Sequence, residues 1–143
     1  MNDAPTWVLD TNVLVSGLLS PFGPPGRLVD LVQSGRLRIA TDDRIEAEYR
    51  DVLARPRLGI ERLRREAFLA VLQFQEHVTA LPWTHRPPPD PDDNMFLEVA
   101  LQVPDRLVVT GNVRHFPPGC RGPVAVWSPR IAWERFLQVS RTV

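Results

Sequence analysis

Three stretches of this chain place oxygen-rich side chains where an apolar segment gives way to a turn or helix. Near the start, Trp7-Val8-Leu9 runs into Asp10, Thr11 and Asn12. A buried strand that ends this way delivers a carboxylate to the rim of a sheet, and in an open parallel sheet the carboxyl-end rim is where ligands bind. Asp10, Thr11 or Asn12 could equally serve as N-cap of the helix that follows. Farther along, Asp90-Pro91-Asp92-Asp93-Asn94 opens a helical pattern carried by Phe96, Leu97 and Ala100. The helix dipole accounts for one acid at its N-terminus, Asp92 or Asp93. It does not account for three acids within four residues, whose mutual repulsion asks for a cation. Finally, Arg106-Leu107-Val108-Val109-Thr110 is a short strand ending in a hydroxyl, and Gly111-Asn112 turns away from it. Thr110 thus takes the place on its strand that Asp10 takes on the first, or else belongs to an ordinary Gly-Asn turn.

Covalent catalysis has no good candidate. Cys120 is the lone cysteine, in a Gly/Pro-rich loop with no base beside it. Ser16 has no evident histidine partner. His77, His85 and His115 are too widely spaced for a zinc pattern and are read as surface or hydrogen-bonded residues.

The elements that must position these groups follow from periodicity and breakers. A strand is expected over 6–10 and a helix over 12–20. Pro25 starts a second helix, which runs to Gln33 and is closed by Gly35. Residues 37–40 form strand two. Thr41 or Asp42 caps a helix to Ala54, with Ile45, Tyr49, Val52 and Leu53 as its packed stripe. Glu48, beside Tyr49, looks along the sheet rim or pairs with Arg44 one turn back. Residues 60–77 read as the longest helix, with Leu63, Phe68, Leu72, Ala67 and Val71 inward, and Val78–Leu81 as a short strand. The proline-rich 86–91 is a stiff connector. A helix over 92–102, strands over 107–110 and 124–127, and a helix over 129–139 complete one domain, 1–143. Strands alternating with helices predict an α/β fold, a three-layer α/β/α sandwich around a mainly parallel sheet. Trp7, Trp83, Trp127 and Trp133 are assigned to core or interface.

Composition narrows the function classes. The chain has 143 residues, enough to bury roughly 70% of its unfolded surface. Hydrophobic content of 43% and charged content of 24% are those of an ordinary globular domain. No apolar run approaches about 20 residues, so no membrane span is expected. No secretory signal is read, and one cysteine suits a reducing compartment; the cytoplasm is expected. Net charge is zero, which excludes a strongly basic nucleic-acid binder. All 17 basic residues are arginine. They cluster at Arg55, Arg57, Arg62, Arg64 and Arg65, which could hold a phosphate backbone or form a solvated helix face paired with Glu61 and Glu66.

The order of these segments resembles the PIN-domain family of nucleases, in particular its small bacterial toxin–antitoxin members. The resemblance is carried by Leu9-Asp10-Thr11-Asn12-Val13, Ser16-Gly17-Leu18-Leu19, Gly23-Pro24-Pro25-Gly26, the stretch from Glu46 to Pro56, Asp92-Asp93-Asn94-Met95-Phe96-Leu97, Val109-Thr110-Gly111-Asn112 and His115-Phe116. It implies a first metal-binding acid at Asp10, a second at Glu48 and a third at Asp93, with Asp92 beside it. A fourth polar position falls in Thr110 to His115, where many members carry aspartate and this chain has Asn112 and His115. Three such carboxylates suit Mg²⁺ or Mn²⁺, hard cations that favour oxygen ligands. An ion held there can activate water and neutralise phosphodiester charge. The expectation is therefore a metal-dependent endoribonuclease with Asp10, Glu48, Asp93 and Asn112 at the centre. Asn12 would brace Asp10, Asp92 and Thr110 would support the site, and Arg55, Arg57, Arg62 and Arg65 would lie along RNA. The resemblance also implies a cognate antitoxin partner and leaves room for a homodimer. The alternative is a catalytically weakened PIN domain that binds RNA or protein. A phosphatase-like enzyme with a strand-end Asp nucleophile fits less well, because the second acid expected two residues on is Asn12.

Overall fold

A computed structural model describes residues 4–142. Its centre is a sheet of five parallel strands: β1 (Thr6–Leu9), β2 (Arg38–Thr41), β3 (Glu76–His77), β4 (Leu107–Val109) and β5 (Ala125–Trp127), in the order β3-β2-β1-β4-β5. The strands are short and apolar, and Val8, Leu9, Ile39, Ala40, Val108 and Val109 are wholly buried. Parallel strands covered on both faces read as continuous apolar runs in this way. From β1 the chain moves outward through β2 to β3, then crosses back to β4 and β5. The strand order therefore reverses between β1 and β4, and at such a switch point the carboxyl ends of the strands open into a crevice.

Six α-helices are seen among the described residues: α1 (Thr11–Leu19), α2 (Pro24–Gln33), α3 (Asp43–Leu53), α4 (Arg62–Val71), α5 (Asn94–Ala100) and α6 (Pro129–Thr142). With the sheet they make the expected α/β/α arrangement. Pro24 and Pro25 open α2, where a missing N–H costs nothing. Gly35, with φ of +78°, lets the chain turn back after it. The α1–α2 hairpin closes on Gly26: a Cβ there would stand 2.3 Å from the Pro21 carbonyl oxygen. Asp42 caps α3 by accepting from Ile45 N–H at 3.0 Å.

Several sequence expectations shift. Residues 60–77 are not one long helix. The helix α4 ends at Val71, a 3₁₀ turn covers Leu72–Phe74, and the longest helix is α6. Phe68 and Leu72 face inward, whereas Leu63 is 72% exposed and Ala67 lies outside the core. Val52 is half-buried at the margin of its stripe. The strand expected at Val78–Leu81 lies upstream at Glu76–His77, because those two residues hold the register beside Ala40 and Thr41. The helix expected over 92–102 begins as a 3₁₀ turn, Pro91–Asp93, and continues as α5 to Ala100. Trp7 is buried; Trp83, Trp127 and Trp133 are partly buried against the core.

Candidate functional site

Asp10 follows β1 directly and occupies the N-cap position of α1, yet its side chain makes no capping bond. Its carboxylate turns instead across the switch point to β4. The Thr110 hydroxyl donates to Asp10 Oδ2 at 2.9 Å and accepts from the Asn112 N–H at 3.0 Å. Asn12 Nδ2 reaches the same Asp10 oxygen at 3.4 Å, while Asn12 Oδ1 accepts from Gly111 N–H at 2.9 Å. A Cβ at Gly111 would stand 3.3 Å from Asn12 Oδ1, a tight contact. Asn12 and Thr110 thus lock the two strand ends together and fix the orientation of Asp10. Burial raises the pKa of Asp10; the Thr110 hydrogen bond opposes this and the Glu48 charge adds to it.

Glu48 projects from α3 and accepts a hydrogen bond from the Thr11 hydroxyl at the start of α1. It does not pair with Arg44. That guanidinium is shared between Asp42 at 2.6 Å and Glu98 at 2.7 Å. Glu98, nearly buried on α5, also accepts from Trp83 N–H at 2.8 Å. Arg44 and Glu98 therefore tie together the two helices α3 and α5 that flank the rim. Beneath Glu48, Tyr49 is fully buried, and its hydroxyl donates to the carbonyl of Leu9, the residue before Asp10. Burial, followed by the charges of Asp10 and Glu48, keeps this phenol neutral and a donor.

Asp93, at the turn into α5, is 9% exposed, and its Oδ2 is buried with no hydrogen-bond partner. Burial first, then the charges of Asp10 and Asp90, push its pKa up to about 6; His115 opposes the shift and Glu48 adds to it. Asp10, Glu48 and Asp93 thus sense one another's charge. Asp90 accepts from Asp92 N–H at 2.9 Å and shapes the turn, and Asp92 itself is exposed. A shallow depression of about 420 Å³ at this end is lined by Pro89, Asp90, Asp93, Arg114 and His115. A second, of about 550 Å³, lies between Arg44, Glu48, Asp92 and Asn94. A larger one, about 670 Å³, surrounds Glu46 and His77 and contains none of the expected site residues.

The side chain of Asn112 turns to His115, with Nδ2 at 2.8 Å from Nε2. His115 Nδ1 in turn faces Asp93 Oδ2 at 3.9 Å. His115, which with Asn112 stands in the fourth polar stretch, is folded back onto Asn112 by the 3₁₀ turn Val113–His115. Arg55, Arg57 and Arg62 are exposed and Arg65 is half-buried, spread from the end of α3 to α4. Two of them are engaged in helical ion pairs, Arg55 with Asp51 and Arg62 with Glu66.

Among the described residues, no three His, Cys, Asp or Glu side chains stand close enough to form a ready-made metal cage. The donor chemistry nevertheless fits a hard cation. The charges of Asp10, Glu48 and Asp93 bear on one another, and one buried carboxylate oxygen has no hydrogen-bond partner. An ionised oxygen in that position is costly without a cation or a proton.

A stability test follows from Asp93. Its pKa in the fold lies above the ordinary value of 3.8, so between about pH 4 and 6 the folded state binds more protons than the unfolded state. This contribution to stability is full below the ordinary pKa and is lost as pH rises through about 6. Asp10 is shifted in the same direction. In EDTA, the thermal midpoint should be higher at pH 5 than at pH 7.5, and Asp93→Asn should flatten that difference. A midpoint rise of the same size in Asp93→Asn would show that Asp93 is not its source.

Comparison with known families places this geometry. Residues 6–114 match the family model of the PIN domain, a span running from β1 through the turn that carries Asn112. No curated protein matches the chain.

Proposed function

Because the chain belongs to the PIN domain family, whose members are in general nucleases, we propose that it is a metal-dependent endoribonuclease. Asp10, Glu48 and Asp93 would hold Mg²⁺ or Mn²⁺. One observation carries this reading: at the switch-point rim, Asp93 keeps a buried carboxylate oxygen without a partner while the charges of Asp10 and Glu48 bear on it. Bound there, such an ion would supply Lewis acidity that neutralises phosphodiester charge and lowers the pKa of water. The chain's own residues supply position. Thr110 and Asn12 hold Asp10 at one orientation across β1 and β4. Thr11 restrains Glu48 beside it. Mg²⁺ commonly keeps several waters and uses one or two carboxylates, so a complete protein cage is not required.

On the same reading the chain is the toxin of a toxin–antitoxin pair, acting on RNA in the cytoplasm, with a cognate antitoxin as partner and self-association as a homodimer. No helix among the described residues is long and apolar enough to cross a membrane. Arg55, Arg57, Arg62 and Arg65 are the proposed backbone contacts. The second reading, a weakened PIN domain that binds RNA or protein, is favoured by one observation: Asn112 turns its amide to His115 and brings no charge to the rim.

Purified protein with Mn²⁺ or Mg²⁺ should cleave a single-stranded oligoribonucleotide, and EDTA should stop it. Cleavage that survives EDTA would refute metal dependence. RNA retention without cleavage at any divalent ion would establish the second reading instead.

A further inference from the structure

We propose that His115 is a ligand of this metal site through Nδ1, and that it turns the site from Mg²⁺ toward cations that accept nitrogen. The inference rests on the metal-dependent reading above and adds a residue and a selectivity to it. His115 Nδ1 lies 3.9 Å from Asp93 Oδ2, and that oxygen is buried and has no hydrogen-bond partner. Two atoms that each bind one ion at about 2.1 Å can stand up to about 4.2 Å apart, so this separation can be shared by a single cation. The imidazole is half exposed, with a side-chain exposure of 54%, and it lines the depression that also holds Asp90 and Asp93. The ring side of the gap therefore faces solvent, in a depression that Arg114 also lines, while the Asp93 oxygen lies covered behind it.

The other ring nitrogen is also provided for. Metal-bound imidazoles usually donate their second N–H to a fixed acceptor, which sets the tautomer. Here the Asn112 amide stands 2.8 Å from Nε2. With Nδ2 toward the ring, the amide donates to Nε2, and the ring proton sits on Nδ1 facing Asp93. Rotating the amide by half a turn presents its oxygen instead. The ring proton then sits on Nε2 and is donated to Asn112, and the Nδ1 lone pair is free toward Asp93. Asn112 is held for this task by its own N–H, which donates to Thr110, the residue that also orients Asp10. One chain of contacts thus runs from Asp10 through Thr110, Asn112 and His115 to Asp93.

A nitrogen ligand matters for selectivity. Mg²⁺ demands oxygen donors and gains little from imidazole, whereas first-row transition ions accept it, Co²⁺ more strongly than Mn²⁺. Calorimetric titration of the intact protein with Mn²⁺, Co²⁺ and Mg²⁺ tests this, together with pulsed electron paramagnetic resonance of the Mn²⁺ form. Wild type should show modulation from a directly bound ¹⁴N. In His115→Ala the modulation should vanish, and Mn²⁺ and Co²⁺ affinity should fall about tenfold or more, a loss no smaller than that of an outer-shell partner. Mg²⁺ affinity should change far less. In His115→Asp the nitrogen signal should be absent and the preference should swing toward Mg²⁺. If Mn²⁺ binds wild type and is lost in Asp93→Asn, yet there is no ¹⁴N modulation and His115→Ala binds like wild type, the role of His115 is overturned and the carboxylate site stands. If wild type binds none of the three ions, the metal reading fails, and the role of His115 with it.

Discussion

Replacing Asp10 by Asn should abolish RNA cleavage while the fold holds or tightens. Asp10 is tied to both β1 and β4, through its place in the chain and through Thr110. The change removes the charge but keeps an oxygen that can accept from Thr110. Even outer-shell groups at metal sites cost about 10–100-fold when removed, so loss of a proposed ligand should cost at least about 100-fold in rate. Stability moves the other way. Asp10 is buried and repelled by Glu48, and both effects disfavour its ionised form. Removing the charge takes away that penalty, so the thermal midpoint in EDTA should stay level or rise. A fluorescent oligoribonucleotide assay beside a thermal scan reads both quantities. Wild-type cleavage by Asp10→Asn would remove Asp10 from the chemistry. Loss of cleavage accompanied by a collapsed midpoint would make its role structural.

The largest effect on stability should come from Tyr49→Ala. This ring is wholly buried under the site, and its hydroxyl serves the carbonyl that immediately precedes Asp10. Truncating a large buried aromatic costs about 3–5 kcal/mol, against a typical total of about 5–15 kcal/mol. For a chain of this size that lowers the midpoint by about 10 °C or more. Tyr49→Phe separates the two contributions: it keeps the packing and removes the donor, for about 1–3 kcal/mol. A Tyr49→Ala midpoint within about 2 °C of wild type would show that the α3–β1 contact does not hold the rim in place.

The sequence made the site legible unevenly, for physical reasons. Strands β1 and β4 announce themselves because both faces are covered, so their apolar runs are unbroken and end abruptly in Asp10 and Thr110. The cap of α3 reads from sequence as Thr41 or Asp42, since a side-chain cap acts within four residues, and Asp42 is the one that caps. The strand expected at Val78–Leu81 falls instead on Glu76 and His77, which carry no apolar pattern and become a strand only through the neighbour they pair with. Leu63 was read inward because helical periodicity cannot say which apolar positions the neighbouring helices reach. The metal-binding role of Glu48 comes from family resemblance, while its place beside Tyr49 leaves it either along the sheet rim or paired with Arg44. The contact of Asn112 with His115 depends on a three-residue 3₁₀ turn, and Arg44 chooses Glu98, 54 residues away, over the nearer Glu48.

The sheet ends in very short strands on both sides: β3 contributes two residues and β5 three. An edge strand is a row of unpaired amides and carbonyls, and a long, flat one invites another chain to continue the ladder. Here a stranger would find two or three residues of backbone to pair with, fewer than an ordinary strand needs. The proline-rich run after β3 offers no further donors in the residues where Pro stands. A chain with 43% hydrophobic residues and zero net charge has little electrostatic protection against aggregation. Its truncated sheet edges supply part of that protection through geometry.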